Sequence, residues 1–315
     1  MTPVLVVGSV AFDTLHLPCG YYPKVAGGAA LYAAVSGALF APIRLVGVVG
    51  ADFPPSFLEL LTNRRIDLSG LEQRMGKTFH WAGRYSTNLA SRETLSTELN
   101  VFADFAPVLP ESFKDSEFIL LGNIDPVLQL AVLEQIRKPK LVVADTMNYW
   151  IQGALPALRR TLQRVDVLVI NEEEARELAC TYNLVESARI MQTMGPKTVI
   201  IKRGEYGALL FHDGEVFSAP AYPLKEVRDP TGAGDSFAGA LLGWIASCGS
   251  FDASVLRQAV IYGSAVASFD VEGVGPARLL HLSFNDIQHR YSEFRRLVAF
   301  ADDAVPSPAS YAALG

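Results

Sequence analysis

The feature that most limits how this chain can fold is a rhythm of short, β-branched apolar runs, most of them followed by a helical stretch. Val4 to Gly8, Ile43 to Gly50 (IRLVGVVG), Phe118 to Gly122, Leu141 to Asp145 (LVVAD), Val165 to Asn171 (VDVLVIN) and Thr198 to Lys202 (TVIIK) read as buried strands. Gly207 to His212 reads as a further strand. Between and after them, Gly27 to Ala38, Ser56 to Arg64, Pro126 to Gln135, Leu155 to Arg164, Glu172 to Cys180 and Val255 to Ser268 read as helices, with Phe284 to Phe300 as the last. Strands alternating with helices predict a mostly parallel sheet with helices on both faces. The chain has 315 residues, half of them hydrophobic, which is ample for a large core. The Ala-, Ser- and Pro-rich stretch 301–315 reads as a poorly ordered tail.

Two stretches break the rhythm. Leu15 to Ala26, with Pro18, Gly20 and Pro23, reads as loop. Residues 77–104 have the alternating, aromatic character of an antiparallel hairpin: KTFHWAGRYS, a turn over Asn88 to Arg92, and a return over Thr94 to Phe105. His80, Trp81, Arg84 and Tyr85 either line a pocket or cover an exposed sheet face. Side chains alternate along a strand, so His80, Ala82, Arg84 and Ser86 share one face. That face is small and polar, as a pocket for a hydroxylated ligand would be. It leaves Phe79, Trp81 and Tyr85 on the other face for packing. With Leu95, Leu99 and Phe102 they give the hairpin more apolar surface than a solvent-exposed excursion should show. A homodimer in which lid strands of two chains pack together is the expectation.

In open α/β sheets ligands bind outside the carboxyl ends of the strands. Polar residues gather there in this sequence. Asp13 follows the first strand and is either a turn aspartate or a ligand-binding one. Asp145 comes with Asn148, Asn171 with Glu174, and Lys202 opens Lys202-Arg203-Gly204-Glu205-Tyr206-Gly207. Asn171 and Glu174 have the spacing of a capping box, and also a spacing that lets Glu174 hold Mg²⁺ through water. Gly27 and Gly28 open an Ala-rich helix and allow a ligand close to the backbone.

Asp229-Pro230-Thr231-Gly232-Ala233-Gly234-Asp235-Ser236-Phe237-Ala238-Gly239-Ala240 reads as a loop entering a helix. Glycines at 232 and 234 let successive N–H groups face one way, and a helix start adds unpaired N–H groups and the positive dipole end. This is an anion site suited to phosphate. Asp235 within it is either a helix-capping carboxylate or a general base for a hydroxyl attacking phosphorus.

The formal charge of −6 gives no reason to expect nucleic acid or an anionic membrane as partner. No stretch has the roughly 18 apolar residues that a membrane span needs. Cys19, Cys180 and Cys248 are widely spaced, lack a metal-ligand pattern and read as reduced thiols of a cytoplasmic protein. The N-terminal MTPVLVVGSVAFDTL has no basic region and reads as a first strand, not a signal peptide.

The DPTGAGDSFAGA stretch is similar to the C-terminal signature of the ribokinase-like (PfkB) family of small-molecule kinases. Gly27-Gly28 resembles that family's N-terminal signature. Asp13, Asn171-x-x-Glu174 and Arg203-Gly204-x-x-Gly207 fall in the family's order, so the resemblance spans roughly residues 3–295. It implies a three-layer α/β/α domain over residues 1–300, with lid segments at about 14–26 and 77–104. It implies ATP-dependent, Mg²⁺-assisted phosphorylation of an alcohol. Asp235 would be the base, and the amides of Gly232, Ala233 and Gly234 the anion hole. Asp13, with Gly27, Gly28, His80 and Arg84, would bind the acceptor. Asn171, Lys202, Gly204, Gly207, Thr231 and Gly273 would lie near the nucleotide, and Glu174 with Asn171 would serve Mg²⁺. Many members also bind K⁺ through the loop that is here Asp229 and Thr231. Three departures argue against ribose: no Asn follows the glycine pair, Lys202 stands where Thr is common, and the first lid segment is short. A sugar, cyclitol or related polyol is the leading acceptor class. A nucleoside of the adenosine or cytidine type is the alternative, and a non-catalytic ligand sensor the third reading.

Overall fold

The structure, a computed structural model, describes residues 1–299; residue 300 and the 301–315 tail lie outside them. Its strands are β1 (Val4–Val7), β2 (Ala11–Leu17), β3 (Gly20–Gly27), β4 (Ile43–Gly50), β5 (Ile66–Arg74), β6 (Phe79–Tyr85), β7 (Arg92–Glu98), β8 (Phe118–Leu121), β9 (Leu141–Asp145), β10 (Val167–Asn171), β11 (Thr198–Lys202), β12 (Ala208–His212) and β13 (Glu215–Ala219). Nine of them form one sheet in the order β13-β12-β11-β10-β9-β8-β1-β4-β5. The pairs from β11 to β5 are parallel, and β12 and β13 close one edge antiparallel.

Alternate residues of the central strands point into two separate cores. Val4, Val6, Leu45, Leu120, Val143 and Val169 join helices Ala29–Gly37, Ala233–Cys248, Ala253–Asp270 and Phe284–Leu297 on one face. Leu5, Val7, Val46, Ile119, Leu121 and Val142 face the other way, as do Leu168, Ile170, Val199 and Ile201. Burying both faces explains why the strands read as continuous apolar runs rather than alternating ones. Each such Val, Leu or Ile contributes about 1.5–3 kcal/mol over its exposed state.

All nine residues of helix Ala29–Gly37 are buried. The helix reaches that position because its neighbour, Ala233–Cys248, presents glycines to it. A Cβ on Gly239 would collide with the Ala33 carbonyl, and one on Gly243 would meet the Gly37 carbonyl at 2.7 Å. The two helices therefore touch backbone to backbone, which is what the small residues of both segments permit.

The second sheet, in the order β3-β2-β6-β7, is the lid. Leu15 to Ala26, expected as loop, supplies the end of β2 and nearly all of β3 instead. Its turn residues Pro18 and Gly20 mark only the tip of a hairpin. β2 then pairs with β6 in parallel, so both lid segments form one sheet. Much of the apolar surface expected to need a second chain is covered within this one. Phe79 stacks on Phe102 at 5.5 Å and Phe102 on Phe105 at 5.4 Å. Tyr85 and Trp81 pack with Leu15, Leu17 and Val25. Leu95 and Leu99 remain exposed.

Other differences are local. Where only a short strand-like turn at Ile66-Asp67 was expected, β5 runs nine residues as a sheet edge, with polar residues the edge tolerates. Helices Asn148–Gly153 and Leu184–Gln192 and strand β13 had no clear periodic signal. The helix after the glycine loop begins at Ala233, so Asp235 lies inside its first turn.

The backbone contact at Gly239 is testable. Gly239→Ala must push the two helices apart and should destabilise the protein by about 1–3 kcal/mol, read as a lower urea midpoint. Gly153→Ala, where nothing lies within 4 Å of the added methyl, should leave the midpoint essentially unchanged.

Candidate active site

The strand order reverses between β8 and β1: β4 and β5 follow on one side, β9 to β11 on the other. Such a switch point opens a crevice at the carboxyl ends of the strands. Helix Ala233–Cys248 packs against β1, β8 and β9, under that crevice. The loop before it is pinned at both ends. Asp229 accepts the Thr231 amide at 2.9 Å and, with its other oxygen, the Gly275 amide at 2.9 Å. Gly232 then turns at φ 83°, and a side chain there would strike the buried ring of Tyr32. Only glycine satisfies both demands. The residues expected for K⁺, Asp229 and Thr231, are thus already engaged within the protein.

Gly232, Ala233, Gly234 and Asp235 stand at the start of this helix, as expected. The Ala233 amide is drawn back to the Pro230 carbonyl at 3.3 Å. Gly234 lies under Lys202: a Cβ there would sit 2.7 Å from the Lys202 ammonium. Lys202 ends β11 and reaches the carboxylate of Asp145, at the end of β9, at 3.1 Å. Burial opposes its charge, but Asp145, Glu174 and Asp235 outweigh burial and hold the ammonium above its ordinary range.

Asp235 is half-buried, and its carboxyl is pushed up to about 7. Burial is the main cause and the Asp145 charge the next, with Lys202 and Arg92 pulling the other way. Asp13 is buried and also raised to about 7, by burial and then by Asp229 and Asp235. It lies against Gly27, where a Cβ would overlap its carboxylate, and takes a hydrogen bond from the Gly28 amide. Gly28 itself has φ 92° and lies too close to the Ser9 carbonyl for any side chain. The glycine pair therefore presses Asp13 against the start of helix Ala29–Gly37.

Asn171 and Glu174 form a reciprocal capping box. The Asn171 side chain accepts the Glu174 amide at 2.8 Å, and Glu174 accepts the Asn171 amide at 3.1 Å through Oε2. Burial and Asp145 raise the Glu174 carboxyl to about 7. Gly204 and Gly207 lie in the turn after β11, where Arg203 N–H bonds the Gly207 carbonyl at 2.7 Å. Gly273 lies in the turn after helix Ala253–Asp270, next to Arg278.

His80 and Arg84 do not face this cluster. The parallel register aligns Asp13 with Trp81 and Leu17 extends towards Tyr85, so the face shared with Asp13 is that of Trp81 and Tyr85. His80 pairs with Thr14 at 2.8 Å, and the exposed Arg84 with Glu93 at 3.5 Å. Alternation along β6 was read correctly, but its two faces were assigned the wrong way round: an aromatic face suggested packing, and here it faces the cleft. Tyr85 reaches across to the anion loop, its hydroxyl 2.7 Å from that of Thr231. Arg92, read as a turn residue, opens β7 opposite Tyr85 on the same face. Its charge lowers the carboxyls of Asp13, Glu174 and Asp235. Arg92 is the member of the site that the sequence did not single out; Asp145 and Tyr85 were named there without a definite role.

The geometry assembles a glycine-rich helix start, a candidate base, a resident ammonium and a lid face that carries Asp13, Trp81, Tyr85 and Arg92. A model of the "pfkB family carbohydrate kinase" matches residues 1–281. A cytidine kinase of Thermococcus kodakarensis is 34% identical over 77% of this chain and 88% of its own. A ribokinase of Lactococcus lactis is 26% identical over 90% of this chain and 99% of its own. The fold superposes on a putative ribokinase II of E. coli, solved in complex with ATP and Mg²⁺, with a TM-score of 0.74 at 19% identity, covering 93% of this chain and 100% of that one. The chain belongs to the pfkB family of carbohydrate kinases, phosphotransferases with a hydroxyl acceptor.

Proposed function

We propose that this chain transfers the γ-phosphoryl group of ATP to a ribose hydroxyl of a nucleoside. The observation that carries this reading is the acceptor wall: Asp13 shares its lid face with a flat aromatic, Trp81, and with Tyr85 and Arg92. An arginine carried on an aromatic ring, on the same face as Asp13, suits the polar edge of a base better than it suits a free sugar. The 34% identity with a cytidine kinase supports the same class. The second reading, a free sugar or cyclitol, is supported by the ribokinase relative, which matches over nearly its whole length.

Asp13 orients the acceptor hydroxyls. Asp235 accepts the proton of the attacking hydroxyl as its oxygen bonds phosphorus and the bond to the ADP oxygen breaks. The helix-start amides of Gly232 and Gly234 and the Lys202 ammonium take the charge on the transferring group. Tyr85, bonded to Thr231, ties the lid to that loop and excludes water. Mg²⁺ fits the donors present. Glu174 uses one carboxylate oxygen in its cap and keeps the other, and Asp145 stands nearby. These are hard oxygen donors, few in number, as suits an ion that keeps its waters and the nucleotide phosphates. When bound, Mg²⁺ neutralises phosphate charge. Gly204, Gly207 and Gly273 line the side where the rest of the nucleotide would extend.

A panel of nucleosides, sugars and inositols, assayed by ADP formation, tests the acceptor class. Turnover of a nucleoside at least tenfold better in kcat/KM than of any free polyol is expected. The reverse order would replace this reading with the second, and ligand affinity without transfer to any acceptor would make the protein a sensor.

Asp235→Asn should lower kcat by about 100-fold or more while ATP affinity, measured by calorimetry, is kept. Near wild-type turnover would remove the base assignment. The base must be deprotonated to act, so its raised carboxyl gives the pH dependence its sign. kcat should rise with pH through about 7 and level off above it. A rate already flat at pH 5 would mean that the group is an ordinary carboxylate.

Glu174→Gln separates cap from metal. Gln also serves in a capping box, so a purely capping role leaves both stability and the Mg²⁺ requirement unchanged. The expected result is a higher Mg²⁺ concentration for half-maximal rate at an unchanged melting temperature.

A further inference from the structure

The inner face of the lid carries a cation that the chemistry above does not use. Arg92 opens β7 directly opposite Tyr85. Its guanidinium lies 5.2 Å from the centre of the Trp81 ring. That ring lies flat on the sheet because residue 83 is glycine: a Cβ there would collide with the indole. The indole N–H is held by the Thr94 hydroxyl at 3.3 Å. Trp81 is thus a fixed plane that supports the guanidinium, an arrangement Arg favours. Arg84, on the opposite face, is paired with Glu93, whereas among the described residues no carboxylate stands within ion-pair reach of Arg92. Its guanidinium lies over Trp81 on the face shared with Asp13 and Tyr85, which is the cleft side of the sheet.

Asp13 and Arg92 stand four residues and two strands apart on one sheet face. Strand geometry puts their backbones about 16 Å apart. The Arg92 side chain lies back over Trp81, on the face of Asp13, so an acceptor with its hydroxyls on Asp13 can present its far edge to Arg92. A guanidinium offers two parallel N–H donors and no acceptor. It matches an edge with two adjacent acceptors, such as O2 and N3 of cytosine. Uracil presents an N–H at position 3 and matches only half of the fork.

We propose that Arg92, supported by Trp81 over Gly83, is the residue that selects the base of the acceptor, favouring an edge with two adjacent hydrogen-bond acceptors. This rests on the nucleoside reading above.

The test is the ratio of kcat/KM for cytidine to that for uridine, in the wild type, R92M and R92K. A bidentate contact of this kind discriminates by about tenfold or more, so the wild type should prefer cytidine by that factor. R92M should bring the ratio near one by raising the cytidine KM more than the uridine KM; any fall in kcat from the lost charge beside Asp235 acts on both nucleosides alike and cancels in the ratio. R92K keeps the charge without the fork and should resemble R92M. A wild type that turns over nucleosides without this preference, or an R92M ratio equal to the wild type's, overturns the role of Arg92 alone. A wild type that phosphorylates no nucleoside overturns the nucleoside reading and this proposal with it. A parallel loss in cytidine, uridine and ATP KM would make Arg92 a general charge of the site and also overturn the proposal.

Discussion

The site depends on carboxyl groups being buried beside one another. Burial raises the carboxyls of Asp13, Asp235, Asp270 and Glu174, and neighbouring charges add to it: Asp229 and Asp235 act on Asp13 and Asp270, and Asp145 acts on Asp235 and Glu174. Like charges without water repel, which favours the protonated form of these raised groups. What opposes this is little: the Lys202 ammonium, the Arg92 guanidinium and the positive end of one helix. An Asp235 carboxyl raised to about 7 results from that imbalance.

The scaffold that enforces the crowding is backbone-close packing. Helix Ala29–Gly37 presents the buried ring of Tyr32 under Gly232, and the glycine pair that opens it lies against Asp13, so one element shapes the surroundings of both. It can do so only because Gly239 and Gly243 let helix Ala233–Cys248 approach it. The two glycine-rich motifs, some 200 residues apart in sequence, are therefore two halves of one contact. Ser236 below them donates to Asp270 at 3.0 Å and anchors the helix start to helix Ala253–Asp270.

Much of this was legible in the sequence. The parallel sheet followed from continuous apolar runs, because strands buried on both faces have no polar face to show. The glycine loop and Asp235 were legible because the backbone at Gly232, left-handed and pressed against Tyr32, leaves glycine as the only choice. The lid was less so. A sheet with one face in the cleft and one in solvent has ambiguous alternation, and here the aromatic residues turn inward, so His80 and Arg84 were placed on the wrong side. Leu15 to Ala26 holds prolines and a glycine that mark a hairpin tip, yet reads as loop. Arg92 lies just past a turn, where strand boundaries are hardest to place. Tertiary pairing, not local pattern, gives it its direction.

The central claim is that this cleft moves a phosphoryl group onto a carbon-bound hydroxyl, with water kept out. Phosphorus NMR of the complete reaction, with ATP, Mg²⁺ and a nucleoside acceptor, tests it most directly. The account predicts one new phosphomonoester resonance growing in equal amount with ADP, with inorganic phosphate absent. ADP accompanied by inorganic phosphate alone would show transfer to water and contradict it.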